Sequence, residues 1–225
     1  MKTKINLLAV FIVLSNTINA QFFDKYGASI GIAMSTQKWN YKIPTINNSD
    51  KDYKLGFSLF FNGEKNINEL LTSRLGFGYL QKGFKDNVNW ESIGVSGQND
   101  KNVVLHNLGI DAALKITPLN QLNWKPYGLI GLRGDFIIAY KDIEIEQQGS
   151  ATTFKPYSHI LDDYHPFSVG AIIGLGAEFD GLYYAEFEFN PAMTPVYNGQ
   201  DIKITDIYFS IKFGVHISEL LKGSN

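Results

Sequence analysis

Eight stretches of the chain alternate residue by residue between an apolar or aromatic side and a side of glycine, small polar or charged residues. They run Tyr26–Ser35, Tyr53–Asn62, Leu71–Gly83, Val103–Thr117, Pro126–Tyr140, Phe167–Phe179, Leu182–Pro191 and Ile204–Ile217. A period of two puts successive side chains on opposite faces of a β-strand. In the second stretch Tyr53, Leu55, Phe57, Leu59 and Phe61 oppose Lys54, Gly56, Ser58, Phe60 and Asn62. In the seventh, Tyr183, Ala185, Phe187 and Phe189 oppose Tyr184, Glu186, Glu188 and Asn190. Phe60, Leu80, Leu105 and Ile172 break the rule by falling on the polar face, and His106, Gly128 and Gly134 by falling on the apolar one. A misplaced glycine is a candidate β-bulge.

Two physical solutions fit such a pattern. A soluble β-protein buries its apolar face, whereas a small closed barrel in lipid turns that face outward and encloses the polar one. The connections favour the second. All seven prolines fall between strands or at strand ends, as a ladder without edges requires, because proline has no N–H to donate. Long connections (Thr36–Asp52, Phe84–Asn102, Lys141–Pro166, Ala192–Lys203) alternate with short ones (Gly63–Leu70, Pro118–Lys125, Asp180–Gly181). Long outer loops and short periplasmic turns are the habit of outer-membrane barrels. The expected fold is therefore all-β: an eight-stranded antiparallel up-and-down transmembrane barrel over residues 21–217, both termini periplasmic.

The chain's start agrees with export. Lys2 and Lys4 precede the apolar run Leu7–Leu14, and a short polar stretch ends at Ala20. This reads as a signal peptide over residues 1–20, with Gln21 as the mature start. The apolar run is far short of the roughly 20 residues a spanning helix needs. Residues 218–225 are expected to be a short periplasmic tail. The absence of cysteine excludes disulfides, thiolate metal sites and a cysteine lipid anchor. A net charge of −2 without a basic stripe argues against nucleic acid as a partner. Aromatic residues make up 14% of the chain, enough to supply girdles at both lipid–water boundaries.

Several local features resemble the small outer-membrane barrels of Gram-negative Bacteroidota described as PorT-like, and more distantly the OmpA and OmpX barrels. They are Asn19-Ala20-Gln21 at the cleavage point, Tyr26-Gly27 opening the first strand, and Lys125-Pro126-Tyr127-Gly128 opening the fifth. Gly170–Glu178 followed by Tyr183–Asn190 adds to them. The resemblance covers about Gln21 to Val215 and implies a small outer-membrane barrel; the barrel is expected to be monomeric and to carry no cofactor.

Candidate chemistry is concentrated on the polar face. By parity Lys54, Arg74, Lys115, Arg133 and Lys212 share the lumen with Asp111, Asp135, Glu178, Glu186 and Glu188. Eight strands leave an interior just wide enough for side chains to fill, so these charges must pair. Glu178, Glu186, Glu188 and Arg133 are expected to bond as one unit, giving a plugged lumen rather than a pore. A narrow proton or ion path is the sharper alternative. The long connections carry Trp39, Tyr41, Trp90, Tyr157, Tyr164 and Tyr197, which are candidate contacts for a protein partner or members of the outer girdle. His159 and His165 flank Asp162 and Asp163 in the longest loop, a weak metal pattern.

The expected role is structural, adhesive or accessory to envelope transport, acting through the outer loops, with outer-membrane lipid as the surrounding partner. Two rivals are open. A lipid A-modifying hydrolase would use the lipid-facing His106 with Ser73, which also faces outward on the adjacent third strand but is expected near the opposite, periplasmic end of the wall. A soluble lipocalin-like carrier would need the arginines and glutamates outside.

Overall fold

The computed structural model describes residues 22–43, 49–86, 88, 95–98, 101–119, 123–147 and 153–222. Residues 1–20, and with them the expected signal peptide, lie outside that set, as does Trp90. Eight long strands form the wall: β1 (Lys25–Tyr41), β2 (Lys54–Asn66), β3 (Leu71–Lys85), β4 (Asn102–Ile116), β5 (Trp124–Lys141), β6 (Phe167–Phe179), β7 (Tyr183–Pro191) and β8 (Ile202–His216). Each pairs antiparallel with its sequence neighbours, and β1 pairs with β8 from Gly27↔His216 to Tyr41↔Ile202, which closes the barrel.

The faces are as the alternation predicts. Phe57, Leu132 and Phe187 point outward and are about half exposed (47%, 51% and 47%), whereas Arg133 is fully enclosed and Glu186 nearly so (0% and 3%). In water such an apolar wall would be an aggregation hazard; in hydrocarbon its exposure carries no cost. The lipocalin-like alternative is thereby overturned, because it needs these two faces exchanged.

Local chemistry explains the turns. Between β6 and β7, Asp180 (φ 52°) and Gly181 (φ 69°) both occupy the left-handed region, and Leu182 N–H donates to Phe179 O at 3.0 Å. That is the hairpin turn whose twist matches its strands, and Asp-Gly is its strongest sequence signal. Between β2 and β3, Asn68 Oδ1 accepts the N–H groups of Leu70 (2.9 Å) and Leu71 (2.8 Å).

Lumen glycines lie under rings. Gly78, Gly176 and Gly214 are the direct cross-strand partners of Phe60, Tyr127 and Tyr184. A Cβ at Gly176 would come 2.5 Å from the Tyr127 ring, so the ring needs that bare backbone. Gly128 and Gly134 do not mark bulges: their ladders are unbroken, and the Phe167 ring stands over Gly134. The register shift lies instead where His106 and Asn107 pair with Ala139 and Ile137, skipping Ile138.

The loop end carries more structure than the alternation predicts. β1, β3 and β5 run on to Tyr41, Lys85 and Lys141. Ser49–Asp50 pairs with β1, and Tyr197–Asn198 with β8. Val95–Gln98, Ile145–Gln147 and Thr153–Phe154 make a separate three-stranded sheet. A short helix, α1 (Ser158–Asp162), follows. The C-terminal segment opens as a second short helix, α2 (Ile217–Lys222), whose Ser218 Oγ accepts the Tyr26 N–H at 3.1 Å.

Candidate functional site: a filled lumen under an aromatic cap

Because β-strand side chains alternate, each wall strand delivers a polar group to the axis about every second residue. Enclosed there, an unpaired charge would cost several kcal/mol, so the groups that face one another are of opposite sign. The described strands bury six cations (Lys54, Arg74, Lys82, Lys115, Arg133, Lys212) and seven anions (Glu64, Asp111, Asp135, Glu178, Glu186, Glu188, Asp206).

The middle layer is organised by Arg133. Its Nε and Nη2 donate to the two carboxylate oxygens of Asp111 (2.6 and 2.9 Å), and Nη2 also to Glu188 Oε2 (2.8 Å). Nη1 donates to Asn190 Oδ1, while the guanidinium lies over the rings of Phe60 (4.9 Å) and Tyr208 (5.5 Å). Glu188 also accepts from Lys212 Nζ (2.7 Å) and from Arg74 Nη2 (3.0 Å). Arg74 bonds Glu186 with its other nitrogen, and Glu186 accepts the Tyr127 hydroxyl at 2.7 Å.

Glu178 does not join this unit, contrary to the expectation for the three glutamates. Gly174 and Gly176 are the residues that pair with Glu188 and Glu186, which leaves Glu178 opposite Tyr184 and nearer the turns. There it accepts from Lys115 (2.8 Å) and Lys25 (2.6 Å), and Lys115 also reaches Glu64 (3.1 Å). A cavity of about 440 Å³ opens at this end, lined by Lys25, Glu64, Lys115, Lys125 and Glu178 among others. Among the described residues, Glu64, Glu178 and His216 are the one trio whose ligand atoms gather within 4.8 Å. The Lys115 ammonium already sits between the two carboxylates, so the trio is a cation site filled from within. His159 and His165 belong to no such group among the described residues.

The upper layer contains Lys82, which bonds Asp135 at 2.5 Å and lies 3.8 Å from Asp206. Asp206 accepts from Gln37 Nε2 (2.9 Å), and Gln37 Oε1 accepts from Tyr164 (2.9 Å) and Trp39 (3.3 Å). Lys54 is enclosed and donates to the Leu55 carbonyl at 2.9 Å. Glu64, Lys82 and Asp206 are the lumen charges the census by parity left out. The signal is in the sequence: Lys82 and Asp206 lie on the inward parity of the Leu71–Gly83 and Ile204–Ile217 stretches, and Glu64 lies one alternation past Asn62.

Above Gln37 the interior changes character. Trp39, Phe84, Val103, Leu105, Ile143, Ile145, Tyr157, Leu161, Tyr164, Val196 and Ile204 form one buried apolar cluster, with Tyr41 and Tyr197 packed against it. The expectation that loop aromatics stand free for a partner is corrected here. Trp39 (4% exposed), Tyr157 (7%) and Tyr164 (9%) face inward and close the mouth. The reason is area: rings that would be wetted on isolated loops gain more by covering the top of the barrel. Burial pushes the Tyr157 and Tyr164 hydroxyls well above the usual tyrosine range, Asp86 and Asp206 reinforcing this. Burial likewise raises the Asp142 carboxyl, which accepts the Tyr157 N–H at 2.9 Å.

Ser73 and His106 do not meet. On the β3–β4 ladder His106 pairs with Gln81, eight positions from Ser73, or roughly 26 Å at strand rise. His106 Nδ1 is instead hydrogen-bonded to Tyr79 Oη at 2.5 Å.

A closed antiparallel barrel, apolar outside and ion-paired within, is a membrane-spanning barrel of the outer-membrane kind. The chain belongs to the family described as outer membrane protein beta-barrel domain, whose model matches residues 19–198. Similar solved structures include the attachment invasion locus protein Ail of Yersinia pestis, at 11% identity over 84% of this chain and 99% of that one (TM-score 0.34). Outer membrane protein OprG from Pseudomonas aeruginosa matches at 11% identity over 85% and 94% (TM-score 0.46). Neisserial surface protein A matches at 12% over 84% and 96% (TM-score 0.39). No curated protein matches the chain.

Proposed function

We propose that this outer-membrane barrel is a closed, non-conducting scaffold of the PorT-like kind, monomeric, with both termini periplasmic and its capped loop end at the cell exterior. On this reading it works in adhesion or as an accessory to envelope transport through that exterior end. The observation that carries the reading is the stack of two seals. Arg133, Glu188, Lys212 and Arg74 occupy the axis with direct bonds of 2.7–3.0 Å. The apolar cluster from Trp39 to Ile204 then covers the loop-side mouth. An ion would have to displace fixed charges and cross a dry aromatic layer. The enzyme reading has less support, because the wall holds Ser73 and His106 eight residues apart in register.

Planar-bilayer recording of the refolded full chain tests the scaffold reading: no unitary current is expected, and steady channel openings would overturn it. Orientation is tested separately by protease treatment of intact cells. Cleavage is expected within the Lys141–Pro166 connection and not at the Asp180–Gly181 turn.

A further inference from the structure

Within the cap, three rings form a box. Trp39 and Phe84 meet edge-on (centroids 5.7 Å, 76°), Trp39 and Tyr157 likewise (5.7 Å, 78°), and Phe84 and Tyr157 nearly at right angles (5.1 Å, 89°). The Lys51 ammonium sits in that box, 4.7, 5.6 and 5.1 Å from the Trp39, Phe84 and Tyr157 centroids. It donates to Tyr157 Oη at 3.0 Å and lies 3.6 Å from Asp86 Oδ1. Rings on several sides plus one carboxylate is an arrangement that suits organic cations, whose charge is attracted by ring faces and needs no hydrogen-bond acceptors.

We infer that Trp39, Phe84, Tyr157 and Asp86 form a binding site for alkylated ammonium groups, which Lys51 fills from within the same chain. Two features favour a ligand site over a fixed internal bond. First, the walls hold one another without Lys51: Tyr157 donates to Asp86 at 2.8 Å, its N–H is held by Asp142, and Trp39 and Phe84 are fixed on β1 and β3. Second, only the Lys51 side chain must leave. Its backbone is pinned to β1, N–H to Gln37 O at 3.0 Å and carbonyl to Thr36 Oγ1, while its side chain keeps a solvent-facing edge (10% exposed). A primary ammonium is a poor occupant: beyond its bond to Tyr157 and its pairing with Asp86 it is surrounded by rings, and burial lowers the Lys51 pKa despite Asp86. The space its side chain vacates holds about as many heavy atoms as a trimethylammonium group with its first methylene.

The test titrates tetramethylammonium chloride into the refolded full-length protein in detergent, reading tryptophan fluorescence against sodium chloride. Lys51 competes in the natural chain, so Lys51→Ala is expected to bind at least about tenfold more tightly. Lys51→Met, which refills the box with an apolar side chain, should not show that gain. Adding Asp86→Asn to Lys51→Ala should remove most of the affinity. Retained heat-modifiable gel migration establishes that the barrel of each variant is folded, and an unchanged rate of proteolysis in the Lys141–Pro166 connection establishes that its cap is closed. A folded Lys51→Ala protein that binds no better than the natural chain, or equally well after Asp86→Asn, overturns the inference. Choline and phosphatidylcholine vesicles, compared on Lys51→Ala, separate a free amine from a lipid headgroup as the source. The titration does not depend on conductance or orientation, so it fails independently of the scaffold reading.

Discussion

Between Glu64 and Asp206 the inside of this barrel is held by charges; above Gln37 it is held by rings and branched aliphatics. Both regions are buried and both close the same tube, but they depend on different things. The lumen residues are placed by the wall strands themselves, each side chain aimed by strand parity, and their energy comes from pairing. The cap residues come from the wall strands' loop-side ends and two connections, β5–β6 and β7–β8, and their energy comes from removing apolar area from water. The lumen should therefore fail as one unit with the barrel, and the cap should open alone.

The largest effect is expected at Arg133. Replacing it by Met leaves Asp111 and Glu188 enclosed without their shared guanidinium, a loss on the order of 3–5 kcal/mol. Denaturant unfolding followed by gel migration should show the whole barrel unfolding earlier. Removing one carboxylate as well, with Asp111→Asn, should recover part of that loss. If Arg133→Met unfolds at the natural midpoint, the lumen charges are not what holds the wall together.

Next comes the cap. Leu161 on α1 is buried in the apolar cluster beside exposed neighbours, so Leu161→Ala should cost about 2 kcal/mol, low in the range for such truncations because the site can collapse. Here the loss should appear as faster proteolysis of the Lys141–Pro166 connection, with barrel unfolding unchanged. A coupled shift of both would erase the distinction between the two interiors.

The wall was legible in the sequence because strand parity is a strict code. Phe57, Leu132 and Phe187 could be placed outward, and Arg74, Asp111 and Arg133 inward, from position alone. The same rule places Lys82 and Asp206 inward within their stretches, and Glu64 inward one alternation past the end of its own. The cap followed no such rule. Trp39, Tyr157 and Tyr164 read as loop aromatics because nothing local records that connections far apart in the chain converge over one mouth. The Asp86–Tyr157 and Gln37–Tyr164 bonds join residues 71 and 127 positions apart, which no periodicity reports.

Alkaline pH separates the regions by titration. The cap tyrosines Tyr157 and Tyr164 have pKa values raised by burial above the ordinary 10.0. The unfolded or opened cap releases these protons first, so cap stability is present below pH 10.0 and is lost as pH rises beyond it. Lys51 works the other way: its lowered pKa means the folded cap gains as pH approaches 10.5, which partly offsets the tyrosines. The net expectation is cap opening above about pH 10, seen as a late, cooperative rise in tyrosinate absorbance, with barrel migration on gels intact. Smooth titration of every tyrosine at the ordinary value would contradict a dry cap.

The smallest effect should come from a lysine beside the lumen but outside it. Lys65 bonds Asp24 at 2.9 Å, with both side chains substantially exposed (46% and 36%). Its neighbour Glu64 points the other way and binds the enclosed Lys115 at 3.1 Å. Lys65→Ala should change stability by less than about 0.5 kcal/mol, since water screens the pair and ordering two long side chains offsets its attraction. Glu64→Gln, one position away, should cost several times more, because Lys115 keeps its charge in an enclosed site with one carboxylate fewer. The contrast tests enclosure: each substitution removes one charge at the same turn, from opposite faces of the strand, and the milder change in size, Glu64→Gln, is expected to cost more. Equal effects in denaturant unfolding would mean that water reaches the lumen at the turn end as freely as it reaches the outside.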